Sequence, residues 1–227
     1  MVTSSAVRLS LATVFLALGT MVLEGCETTP STPTVVLQRN GDHAFEWGRY
    51  EEAAASYRRI IDREPGDGKA QAMYGRCLMA MGEPARAADA FEIALARRPG
   101  DRDLVLLLSK ARFDAGQYDQ AFEIVRTWAL DNGDAGAWTQ LARFAMQTGD
   151  PDTARQAIRR AIEADPTGSA EPYLVAADLD ESLGETSQAL RRLRQAHGIE
   201  LRNQAILDRL RAYGEVPGPT LVLPPGV

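Results

Sequence analysis

Apolar positions fall into two regimes along this chain. Leu9 to Leu23 form a hydrophobic run broken only by Ser10, Thr13, Gly19 and Thr20. From Thr34 onward the apolar residues recur at helical spacing inside a repeating unit, and a repeat of this kind decides the fold before any single element does. Gly48-Arg49-Tyr50-Glu51-Glu52-Ala53 returns as Gly82-Glu83-Pro84-Ala85-Arg86-Ala87, Gly116-Gln117-Tyr118-Asp119-Gln120-Ala121, Gly149-Asp150-Pro151-Asp152-Thr153-Ala154 and Gly184-Glu185-Thr186-Ser187-Gln188-Ala189. The glycines stand 34, 34, 33 and 35 residues apart. Four residues beyond each alanine sits a large apolar side chain: Tyr57, Phe91, Val125, Ile158 and Leu193. Pro65, Pro99 and Pro166 close three of the units.

Each piece has a mechanical reading. The glycine ends a helix where the backbone must turn left-handed. Tyr or Pro two residues later opens the next helix, and the alanine lets the two helices approach closely. Large residues one turn further fill the groove between them, and the proline stops the second helix. The spacing therefore predicts five helical pairs, over residues 34–67, 68–101, 102–134, 135–168 and 170–203.

This pattern resembles the tetratricopeptide repeat (TPR), a helix-turn-helix unit of 34 residues, over roughly Thr34 to Asn203. Trp138, Leu141 and Ala142 match the family pattern in the fourth unit. The first leading helix departs from it, with Asn40 and Gly41 where packing residues normally stand, and the fifth unit has Leu201 in place of the closing proline. The resemblance implies an all-α, right-handed superhelical solenoid of about five repeats. Asn203 can cap a final helix carrying Ile206, Leu207, Leu210 and Tyr213 on one face and Asp208, Arg209 and Arg211 on the other. A solenoid needs such a polar-backed terminal cap, which places the domain over residues 34–214. The tail, residues 215–227, holds Pro217, Pro219, Pro224 and Pro225 and reads as extended. It is either disordered or offers Thr220-Leu221-Val222-Leu223 as an added strand to a partner.

The N-terminal run is 15 residues long, short of the roughly 20 that cross a bilayer but of the size of a signal-peptide core. Leu23-Glu24-Gly25-Cys26 follows it. A leucine three positions before a cysteine, with a small residue between, resembles a bacterial lipoprotein processing box, although Glu24 departs from that family's preference for an uncharged residue. The resemblance implies a signal peptide over residues 1–25, lipidation at Cys26 and a Thr/Pro/Ser tether over residues 26–33. Stable anchoring takes two or more acyl chains. Glu27 at the position after the cysteine favours the outer membrane by the family's sorting tendency. A plain secretory signal or an uncleaved anchor is the other reading of the same residues.

Composition narrows the chemistry. The net charge is −6, from 25 Lys+Arg against 31 Asp+Glu, which argues against a nucleic-acid partner. His43, His197, Cys26 and Cys77 have no metal-site spacing, and Cys77 reads as a small buried hydrophobe. Acid pairs such as Asp62 and Glu64 or Asp101 and Asp103 lie at unit junctions as helix caps. The sequence shows no catalytic arrangement, no phosphate loop and no cofactor motif.

Function is then expected on the leading-helix face that packing leaves free. Position 9 of successive units reads Asp42, Arg76, Lys110, Arg143 and Asp178, and position 12 reads Phe45, Met79, Phe113, Met146 and Glu181. Arg76, Lys110 and Arg143 beside Phe45, Met79, Phe113 and Met146 suit an acidic or C-terminal peptide. The alternative is that position 12 borders the core and the cations are ordinary solvated residues. The expected protein is an outer-membrane-anchored periplasmic TPR scaffold for protein or peptide partners, not an enzyme. Signal, lipidated cysteine, linker and repeats together look like the TadD proteins of tight-adherence pili and the pilotins of type IV pili, which implies a secretin or pilus component as partner. Another envelope adaptor, in outer-membrane protein or peptidoglycan assembly, or an intracellular co-chaperone, are the alternatives.

Overall fold

The computed structural model describes residues 32–216, 218 and 221–226. The hydrophobic run, Cys26 and most of the tether lie outside the described residues. Among the described residues there are eleven α-helices and no strand. Leading and trailing helices alternate: α1 (Thr34–Glu46), α2 (Tyr50–Ile61), α3 (Gly68–Ala80), α4 (Pro84–Arg97), α5 (Arg102–Asp114), α6 (Tyr118–Asn132), α7 (Ala135–Gln147), α8 (Pro151–Ala164), α9 (Glu171–Ser182) and α10 (Thr186–Ile199), then the capping helix α11 (Gln204–Ala212). None is long and apolar enough to cross a membrane.

The turn inside each pair is the same device five times over. Gly48, Gly82, Gly116, Gly149 and Gly184 all take positive φ, between 71° and 79°. The N–H after each glycine bonds back to a carbonyl five residues earlier, as Glu83 does to Leu78 at 2.9 Å. This closure satisfies the orphan carbonyls of the leading helix and reverses the chain in three residues. Gly214 repeats it after α11, so the capping helix is the first half of a sixth unit. Helix starts are capped by Asp67, Asp101, Asp134, Asp150 and Asn203, each accepting from backbone N–H groups of its first turn. Asp62, by contrast, follows α2 and pairs with Arg58 of its last turn.

Packing explains Gly41, which the sequence pattern marks as a weakness. Gly41 is buried, and a Cβ placed there would lie 2.8 Å from the Tyr57 ring. Gly75 stands in the same relation to Phe91, at 2.7 Å. Where the trailing residue is smaller (Val125, Ile158, Leu193), the leading position is Ser109, Ala142 or Ala177, all buried. Small and large alternate so that the volume of the pair is conserved, as a close-packed core demands. Cys77 is fully buried and unpaired, and burial pushes its thiol up to about 11, so it packs rather than reacts.

One carboxylate ties the third unit to the fourth. Asp134 accepts from Arg102 Nε at 2.6 Å and Nη2 at 3.1 Å, from Trp128 Nε1 at 3.0 Å, and from the N–H groups of Gly136 and Ala137 at 2.8 and 3.1 Å. Burial opposes its ionisation, but the bonds from Arg102, Trp128 and Ala137 outweigh that and hold the carboxyl below its ordinary value. A depressed folded-state pKa contributes stability above the unfolded value of 3.8 and loses it as pH falls through the folded one. Asp134→Asn is expected to lower stability at neutral pH by about 1–3 kcal/mol. In urea unfolding, the gap to wild type should narrow as pH falls below 3.8 and through the folded value. A gap independent of pH would mean that the charge of Asp134 contributes nothing.

The tail departs from the reading of a disordered end: its described part is docked. Leu223 N–H bonds to the carbonyl of Arg194, and the buried Gln195 amide donates to the carbonyls of Pro224 and Gly226. Gly226 N–H bonds to the hydroxyl of fully buried Tyr173 at 2.9 Å. Gly198 makes the approach possible, since a Cβ there would stand 2.8 Å from the Leu223 carbonyl oxygen. Proline prevents helix here, and α10 supplies side-chain partners for the freed backbone groups.

Candidate partner-binding groove

The leading helices of the last three units touch in succession. Beyond neighbours in sequence, α5 meets α7 and α7 meets α9. Gln140 of α7 reaches back to the Leu106 carbonyl at 2.8 Å and to the buried Ser109 hydroxyl at 2.7 Å. A repeated surface is thereby held in register from the third unit to the fifth.

Arg76, Lys110 and Arg143 sit at equivalent positions of α3, α5 and α7, and all three are exposed. Their charges are not equally free. Lys110 bonds to both carboxylate oxygens of Asp114, at 3.1 and 2.7 Å, and Arg143 pairs with Glu171 of the next unit. Arg76 has no ion pair or hydrogen bond among the described residues. At the C-terminal end, Arg209 of α11 lies 2.8 Å from Asp178 and 2.9 Å from Glu181, and Tyr213 donates to Glu181 at 2.8 Å. Burial raises the Glu181 carboxyl, yet Arg209 and Tyr213 together bring it below its ordinary value. The first unit's Asp42 accepts the Tyr57 hydroxyl; burial first, and Asp42 second, push that phenol upward.

The apolar column is chiefly a packing seam. Phe113 is 7% exposed and stacks on Phe144, ring centroids 4.2 Å apart and 6° from parallel, with Tyr118 and Phe122 against it. It has no face left for a partner. Phe45 meets Tyr50 edge-on at 5.4 Å, while Met79 and Met146 pack against buried clusters and keep part of their surface open. The usable inner surface is therefore Arg76 with the partly exposed Phe45, Met79 and Met146, flanked by the paired Lys110 and Arg143.

The trailing helices carry cavities of their own. A cavity of about 440 Å³ lies between α2 and α4, lined by Ile61, Tyr74 and Ile93, and one of about 510 Å³ lies between α6 and α8, lined by Tyr118, Phe122 and Leu130. A third, of about 380 Å³, lies between α8 and α10 over α9. Apolar residues on trailing helices outside the packing register, such as Ile93 and Leu130, are the sequence signal for the first two.

Paired helices joined by identical turns and sealed by a terminal helix define a solenoid scaffold, a class that is generally non-enzymatic. The tetratricopeptide repeat model matches residues 44–111, 79–132 and 112–179, and the chain belongs to that family. No curated protein sequence matches it. Solved structures with the same fold include the thermophilic TPR protein TTC0263 of Thermus thermophilus, at 20% identity and TM-score 0.61 over 79% of this chain and 98% of that one. They also include MamA, at 19% identity and TM-score 0.58 over 82% and 98%. PilW, described as a widely conserved type IV pilus biogenesis factor, matches at 19% identity and TM-score 0.62 over 78% and 82%.

Proposed function

We propose that this chain is an envelope scaffold, tethered through a lipidated Cys26 to the periplasmic face of the outer membrane, whose leading-helix surface holds a protein partner during pilus or secretin assembly. The observation that carries the binding role is the array itself: of five successive pairs, three keep an exposed cation (Arg76, Lys110 and Arg143) at the same leading-helix position. Repeats that spend their apolar faces on one another leave such a surface free for a ligand. The anchoring rests on Leu23-Glu24-Gly25-Cys26 after the hydrophobic run. The pilus role draws support from the fold shared with PilW and from the order of signal, tether and repeats.

Cells expressing the full chain with a radiolabelled fatty acid should incorporate label and carry the protein in the membrane fraction. Cys26→Ser should lose both completely. Label persisting in that variant, or absent from wild type, removes the anchor. Pull-down from detergent-solubilised membranes should recover a secretin or pilus subunit, and reproducible absence of both removes the pilus role while leaving the scaffold intact.

A further inference from the structure

The cavity between α8 and α10 contains a carboxylate that the fold does not satisfy. Asp180 of α9 is 8% exposed and lines the cavity, yet no hydrogen bond or ion pair reaches its side chain among the described residues. The cations around it are disposed unequally. Arg155 is 2.5 Å from Glu185. Arg192 donates to Gln195 Oε1 at 3.1 Å and to the Gly226 carbonyl at 3.4 Å, and acts on Asp180 through its charge without bonding to it. Arg159 is exposed at the mouth with no partner among the described residues.

The Asp180 oxygens are not sealed from water: they open onto the cavity without a protein donor, so a ligand cation can take the place of that water. Desolvation pushes the Asp180 carboxyl up; Arg192 opposes it, Glu185 adds to it and Arg155 opposes it, with a net rise. Folding therefore disfavours ionisation of this group, so its contribution to stability is full below the unfolded value and lost as pH rises through the folded one. Residues that break packing rules at a concave site are where ligands are met. Here the lining offers the Asp180 carboxylate together with the apolar Ile158 and Leu179, and the exposed Arg159 guanidinium beside them.

We propose that this cavity is a second binding site, on the trailing-helix side, for a partner protein's lysine or arginine side chain that has a carboxylate beside it in sequence. The cation seats against Asp180 and the neighbouring carboxylate meets Arg159. A space of about 380 Å³ holds one long side chain and part of its neighbour, not a folded element. The proposal stands whether or not the chain is membrane-anchored.

The blocked peptide acetyl-Ala-Lys-Glu-Ala-amide, titrated into the full domain with its tail, should give saturable NMR shifts at α8–α10 amides. Asp180→Asn should weaken binding tenfold or more, and the same substitution should raise Tm, because, without changing shape, it removes a carboxylate whose ionisation desolvation opposes. Arg159→Gln, at an exposed position, should abolish the preference for that peptide over its Lys-Gln counterpart. Equal binding by Asp180→Asn, or no saturation at millimolar peptide, overturns the site. A lowered Tm in Asp180→Asn overturns the unsatisfied carboxylate behind it. Free lysine binding as tightly as the peptide overturns the protein-partner assignment in favour of a small zwitterion.

Discussion

Phe91→Ala should lower the stability of the array by about 3–5 kcal/mol, the range for emptying a buried aromatic site. Phe91 is fully buried, and its ring closes over Gly75 with no room for even one added carbon. The contact makes a sharper test available. In an ordinary helix interior, glycine to alanine gains about 1 kcal/mol. At Gly75 the new methyl would meet the ring of Phe91 at 2.7 Å, and overpacking of that kind costs about 1–3 kcal/mol. Gly75→Ala should therefore be neutral to destabilising alone and stabilising in a Phe91→Leu background, where the ring is gone. Urea unfolding followed by far-UV circular dichroism gives the four corners of the cycle. Additive effects would show that the two positions do not share one volume.

The same pair shows what the sequence could disclose. The five glycines, the alanines and the large residues four positions later gave all ten helices of the five units, because each is tied to a local requirement: a positive φ, a close approach, a filled groove. Gly41 looked like a defect only because its partner is sixteen residues away, and Tyr57 supplies the volume that the glycine lacks. Reading leading and trailing positions as pairs, rather than each against the family pattern, would have found it. The docked tail was not legible, since its partners Tyr173, Gln195 and Gly198 belong to helices that meet it only after folding.

The aligned cations were legible as a column but not as a charge pattern. Whether Lys110 and Arg143 are free depends on Asp114, one turn along its own helix, and on Glu171, across a unit boundary. The burial of Phe113 likewise depends on Phe144 in the next unit, so spacing alone could not separate a binding face from a packing seam. Arg76 is left as the cation of the column with least to lose on meeting a carboxylate.

Reversing the column, Arg76→Glu with Lys110→Glu and Arg143→Glu, should reduce affinity for the partner recovered from membranes by at least about a hundredfold, since like charges facing across an interface cost several kcal/mol. Stability should fall only slightly. Arg76→Glu breaks no bond, while the other two lose exposed ion pairs and place a carboxylate beside Asp114 or Glu171, at a few tenths of a kcal/mol each. The salt dependence is part of the test: wild-type binding should weaken as ionic strength rises, and binding by the triple variant should not. Because Lys110 and Arg143 must leave their intramolecular partners to serve an incoming carboxylate, Arg76→Glu alone should account for most of the loss. Capture undiminished in the triple variant but lost in Asp180→Asn would assign binding to the trailing-helix cavity instead. The leading helices would then be a frame that holds α8, α9 and α10 in place, with their column of cations serving only the ion pairs already formed.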